Sequence, residues 1–160
     1  MEPGEDDVLY FAYTARLAPD RMVDAAPSAA FAFVAHLSGW GLSYTIPAAD
    51  WRGALPSATL QDGSTVWGAV YDIEPDDLAQ INTIESAEGR EPSEIDAIDR
   101  SGQRFRVTTH VSPLNNAINM EPSHAYVRIM VDGSRHWGLP AGWVIGLEDQ
   151  LTSSSDHHAS

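Results

Sequence analysis

The stretch Thr65-Val66-Trp67-Gly68-Ala69-Val70-Tyr71-Asp72-Ile73, followed at once by Glu74-Pro75-Asp76-Asp77-Leu78-Ala79-Gln80-Ile81-Asn82-Thr83-Ile84-Glu85, decides the fold class. The first part is rich in β-branched and aromatic residues and follows a turn signal, Asp62-Gly63, so it reads as a strand. The second opens with proline where the missing N–H costs nothing, and with acids where the helix dipole favours them, so it reads as a helix. At about 100° per residue Leu78, Ile81 and Glu85 share one stripe, which puts a carboxylate on the face that should turn inward. Glu85 also sits near the helix C-terminus, so desolvation and the dipole both favour its neutral form, the state proton-transfer chemistry draws on. If the helix instead ends at Ile84, Glu85 is an ordinary exposed residue of the turn 85–89.

Working outward, residues 8–13 form a strand candidate that is apolar on both faces and therefore central. A loop spans 14–17, and 18–23 read as a short helix or turn. Residues 29–37 alternate through Phe31, Phe33, Ala35 and Leu37, and 40–46 alternate again after Gly39, consistent with one long strand carrying a bulge. Residues 54–60 form a possible strand, and 94–99 with 104–111 form a hairpin around Arg100-Ser101-Gly102. After a loop at 112–121, a helix is expected over 122–131, ended by Gly133, with Tyr126, Ile129 and Met130 on one face. Another is expected over 140–151, with Trp143, Leu147 and Leu151 at spacing four. The reading is α+β: an acidic lead at 1–7, a single domain over 8–151, and a polar, unstructured tail at 152–160.

The chain has 160 residues, a formal charge of −14, no cysteine, and arginine for every basic residue. Such an acidic chain is a poor ligand for nucleic acid or an anionic membrane. With no cysteine there is no disulfide framework, thiolate nucleophile or cysteine metal site. No apolar run is long enough to span a bilayer, and a cytoplasmic location is the default expectation. The six histidines lack metal spacing, and His36 and His110 read as hydrogen-bonded residues at the core edge, so no metal is expected. A serine-hydrolase elbow and a phosphate loop are both missing. A monomer and a homodimer are equally compatible with the sequence.

The order of four pieces resembles the γ-glutamylcyclotransferase family. That family opens on Y-F-A-Y-G-S-N-L; here the stretch is Tyr10-Phe11-Ala12-Tyr13-Thr14-Ala15-Arg16-Leu17. Its V-W-G-V-V-Y is Val66-Trp67-Gly68-Ala69-Val70-Tyr71, and its L-x-x-L-D-x-x-E-G is the helix from Leu78 to Glu85 and Ser86. Its P-S-x-x-Y and G-L-P are Pro122-Ser123-His124-Ala125-Tyr126 and Gly138-Leu139-Pro140. Taken singly, Tyr13 and Trp67 also read as core aromatics, and Tyr126 as a helix-face residue bonded to a carbonyl.

The resemblance implies a small mixed, barrel-like β-sheet with peripheral helices. It implies Glu85 as catalytic acid/base, and substrate binding by the loop Tyr13, Thr14, Ala15, Arg16 and Leu17 together with Tyr126. The implied reaction closes a γ-glutamyl amide on itself, releasing 5-oxoproline and an amine without a cofactor. The chain departs from the pattern at Thr14-Ala15-Arg16, at Ser86 and at Pro92. If the lost glycine served a left-handed turn or a close backbone approach to ligand, Thr14 fills it badly; Arg16 in turn offers a fork for a carboxylate. A non-catalytic metabolite-binding module on the same fold therefore stands as the alternative, with other amide or amine chemistry as a third reading.

Overall fold

The computed structural model describes residues 7–113 and 118–159, with side chains as far as residue 152. Most of the acidic lead and part of the loop expected at 112–121 fall outside those residues. The strands are β1 (Val8–Ala12), β2 (Ala30–Ala48), β3 (Gly53–Ile73), β4 (Glu91–Asp99) and β5 (Arg104–Val111). The helices are α1 (Pro19–Ala25), α2 (Pro75–Glu88), α3 (His124–Trp137) and α4 (Ala141–Ala159). The strands close into a barrel in the order β1-β3-β2-β4-β5, antiparallel except where β1 meets β5.

Alternation along β1 builds two cores at once. Phe11 and Tyr13 join Ala35, Leu37, Val70, Ala97 and Val107 in a cluster fed by the barrel strands. Tyr10 and Ala12 face the other way, against Met22 and Ala25 of α1 and Ile81 of α2. A third cluster seats α3 and α4, through Tyr126, Val127, Met130, Val144 and Leu147, on Tyr44, Ile46 and Leu55.

Several boundaries differ from the sequence reading. Asp62-Gly63 reverses no chain. The residues between Leu60 and Thr65 bulge out of one continuous strand, opposite Gly39, as the register jumps from Trp40↔Leu60 to Ser38↔Thr65. Gly133 does not end α3; a Cβ there would lie 2.6 Å from the Leu17 carbonyl carbon, so this glycine lets the helix press against the turn after β1. The end falls instead at Gly138, left-handed at φ 70°. The tail beyond 151, expected to be unstructured, continues the backbone of α4 to Ala159, since no glycine or proline interrupts it. Among the described residues no helix is long and apolar enough to cross a membrane.

Candidate active site

Glu85 lies inside α2, which runs on to Glu88 and closes on Gly89 at φ 102°. The left-handed cap turns the chain back on itself: Arg90 N–H donates to the Glu85 carbonyl at 2.9 Å, and the Arg90 side chain enters the core. Glu85 is 0 % exposed, on the stripe the periodicity marked. At the tip of β1 the chain makes a single 3-10 turn, Ala15–Leu17. Thr14 enters it with φ −101°, so its β-branch meets no left-handed strain. The third contributor is α3. Ser123 caps it, accepting from Tyr126 N–H at 3.2 Å and donating to the Trp51 carbonyl at 2.7 Å. The cap fixes Tyr126 in the first turn, facing Thr14-Ala15-Arg16.

Two carboxylates and two guanidiniums meet there. Arg16, 4 % exposed, sets Nε 3.2 Å from Glu85 Oε2 and Nη2 2.8 Å from Glu88 Oε2. The Nε contact is close in distance but not aligned as a hydrogen bond, so its attraction is chiefly coulombic. Arg90 sets Nη1 3.1 Å from Glu85 Oε1 and 2.6 Å from Glu88 Oε1, while its Nε donates to the Pro56 carbonyl at 2.8 Å. Thr14 donates its hydroxyl to Glu85 Oε2 at 3.2 Å. Tyr126 donates to Glu88 Oε1 at 2.7 Å and accepts from Ala15 N–H at 3.2 Å. Burial alone would cost these charges dearly; mutual neutralisation and near-complete hydrogen bonding offset it.

The shifts follow from that packing. Burial pushes the Tyr126 hydroxyl up to about 12 despite the nearby Arg90, so it stays a donor. Burial also raises Tyr13 and Tyr10. For Arg16 burial works against the charge, but Glu85 foremost among its neighbours outweighs it and raises its pKa. For Glu88 burial favours the neutral acid, yet Arg90 and then Arg16 hold it below the usual carboxylate range. Beside the desolvation and dipole expected from sequence, the structure sets two guanidiniums against Glu85, Arg90 at 3.1 Å and Arg16 at 3.2 Å.

Of the residues singled out from sequence, the fold brings Glu85, Thr14, Ala15, Arg16 and Tyr126 together. Tyr13 and Leu17 stand apart. The Tyr13 hydroxyl donates to the His110 carbonyl at 2.7 Å and accepts from Ala58 N–H at 2.9 Å, tying strands together. Leu17 packs into the core beside α1, and its carbonyl accepts from Trp137 Nε1 at 3.0 Å. Arg90 and the role of Glu88 were missed. The one available signal was Gly89-Arg90, a helix-stop glycine followed by a cation that can return to the last turn.

His110 is hydrogen-bonded as expected. The raised Tyr10 hydroxyl faces its Nδ1 at 3.0 Å and Asn82 Oδ1 faces its Nε2 at 2.7 Å, which selects the Nε2–H tautomer. His36 does not follow the same expectation: among the described residues its buried Nδ1 has no partner, and the ring lies 4.7 Å from that of Trp67.

Two clefts flank the cluster. One of ≈180 Å³ is lined by Arg16, Arg21, Asp24, Ala25 and Ile84. The other, ≈480 Å³, has Trp51, Arg52 and His124 among its walls, with the Trp51 ring 4.9 Å from that of Tyr126. Glu85 lines neither; Arg16 stands between it and the smaller cleft.

The profile of the AIG2-like family matches residues 65–147, just over half of the chain. Human gamma-glutamylcyclotransferase is 28% identical over 147 residues, spanning 86% of this chain and 76% of that protein. A solved gamma-glutamyl cyclotransferase superposes with a TM-score of 0.82 at 25% identity, covering 89% of this chain and 86% of that one. A yeast gamma-glutamyl cyclotransferase specific to glutathione shares the fold alone, with a TM-score of 0.61 at 10% identity over 92% of this chain and 99% of its own. The shared barrel, the matched segment and these relatives establish that the chain belongs to the AIG2-like family.

Proposed function

We propose that this protein is a cyclotransferase of the cytoplasm that acts on a γ-glutamyl amide, with residues 8–151 as the working domain. The observation that carries the reading is the placement of Glu85: a buried carboxylate beside the tip of β1, within reach of Thr14, Arg16 and the Tyr126 region. The relatives named gamma-glutamylcyclotransferase support it.

The chemistry asks little of the protein. The α-amine of the substrate attacks its own γ-carbonyl, a C–N bond closes the five-membered ring, and the old amide C–N bond breaks. One proton leaves the attacking nitrogen and one reaches the departing nitrogen; Glu85 accepts the first and returns it to the second. Nucleophile and electrophile share a molecule, so holding the substrate folded supplies most of the proximity effect. Tyr126 and the stretch Thr14-Ala15-Arg16 orient the substrate, and the low-dielectric setting strengthens each polar contact.

Incubation with a panel of γ-glutamyl amino acids, peptides and amines, followed by detection of 5-oxoproline, tests the reading. Product from at least one member is expected. Binding of a γ-glutamyl compound with no product from any of them would establish the alternative, a metabolite-binding module. That second reading is favoured by one observation: both oxygens of Glu85 already face guanidiniums.

A further inference from the structure

Glu88 differs from every other charged group in the cluster. Its side chain is 15% exposed, against 0% for Glu85 and Arg90 and 5% for Arg16. It is the last residue of α2, where the helix dipole disfavours an anion, and Gly89 follows it. Yet of the two acids it receives the tighter contacts. Arg90 Nη1 approaches at 2.6 Å, the Tyr126 hydroxyl at 2.7 Å and Arg16 Nη2 at 2.8 Å. The contacts to Glu85 are all looser, at 3.1 to 3.2 Å.

Donors from three separate segments thus converge on a carboxylate that belongs to a helix end and is the most exposed charge of the cluster. Such a convergence is a receptor for a planar carboxylate, with arginine forks supplying the geometry. It lies directly beside Glu85.

We infer that Glu88 is an internal stand-in for a ligand carboxylate, and that a small carboxylate ligand binds by displacing it from Arg16, Arg90 and Tyr126. This rests on the proposed function in taking that ligand to be a γ-glutamyl compound or its 5-oxoproline product. The displacement leaves the charge balance of the buried cluster intact, because one carboxylate replaces another. It also gives the Thr14-Ala15-Arg16 departure a use: Arg16 recognises a carboxylate and a neutral ligand gains nothing from it.

A tethered competitor acts at high effective concentration, so removing it should tighten 5-oxoproline binding by about tenfold or more. Calorimetry on wild type and Glu88→Ala measures this, with Glu88→Gln as the variant that keeps shape if the alanine loosens the fold. The uncharged 5-oxoproline amide should show no gain, and adding Arg16→Ala should abolish it. Acetate is a probe independent of the proposed reaction and should raise the melting temperature of Glu88→Ala more than that of wild type. Unchanged or weaker 5-oxoproline binding in both folded variants overturns the inference, as does a gain that survives loss of Arg16. The two ideas fail separately. Wild type that makes no 5-oxoproline from any γ-glutamyl compound removes the cyclotransferase reading, while an acetate effect specific to Glu88→Ala still supports the receptor. Turnover without the acetate effect retains the enzyme and removes the receptor.

Discussion

Arg16 Nε lies 3.2 Å from Glu85 Oε2, and both side chains are buried. The arginine comes from the turn after the first strand and the glutamate from the third turn of a helix that begins at Pro75. Neither charge would be stable in that setting alone. Arg16→Ala should therefore cost about 3–5 kcal/mol of stability, the range for breaking a buried ion pair by removing one partner. Removing Glu88 in the same chain should restore part of it, with a coupling of about 1–3 kcal/mol in a double-mutant cycle. Urea unfolding of the single and double variants measures it; strictly additive losses would show that the groups do not interact.

Glu85→Gln keeps size but cannot shuttle a proton. Turnover of whichever γ-glutamyl substrate the panel identifies should fall by about two orders of magnitude or more, with ligand binding largely kept. A variant with the wild-type rate would exclude Glu85 from proton transfer.

Tyr126→Phe removes a buried hydroxyl that bridges Ala15 N–H and the Glu88 carboxylate. Loss of a hydrogen bond to a charged group predicts about 2 kcal/mol of destabilisation. A change of only a few tenths would mean that the bridge contributes no net energy.

Gly133→Ala tests the close approach of α3 to the site turn. In an ordinary helix this change stabilises by up to about 1 kcal/mol. Here the new methyl would meet the Leu17 and Ala18 backbone at 2.6 to 2.7 Å, and backbone yields little. Overpacking of this kind costs about 1–3 kcal/mol, so the sign should reverse. Thermal unfolding decides the matter; a stabilised variant would refute the packing.

His110 has its pKa lowered, chiefly by burial. The unfolded chain, with a histidine pKa of about 6.5, then binds a proton that the folded state refuses. No penalty exists well above that pH; it appears as pH falls through the unfolded value and grows until the folded value is reached. The ring should take up its proton only below the free-histidine value, and its neutral form should carry the proton on Nε2, both of which nitrogen-detected NMR of the imidazole reads. A midpoint at or above the free-histidine value would contradict the assignment.

Some of this was legible in the chain. The switch from alternation in 65–73 to the helical spacing of Leu78, Ile81 and Glu85 fixes a strand followed by a helix with a carboxylate turned inward. Those are local properties, set by where side chains point from a regular backbone. Other points were not legible. Gly133 looks like a stop signal, because nothing in the sequence shows that Leu17 will lie against it. Asp62-Gly63 looks like a hairpin turn, because only the pairing of β2 with β3 shows that the strand continues past a bulge.

By itself the sequence determined the kind and order of most elements, the inward face of α2 and the candidacy of Glu85, since periodicity, caps and turn chemistry act within a few residues of one another. Tertiary structure alone decided what Glu85 meets: Arg16 from far upstream, Arg90 swung back by the left-handed Gly89, and Glu88 gripped by both arginines and Tyr126. Charge pairing across distant segments depends on barrel closure and helix packing, and desolvation has no meaning until those surfaces have come together.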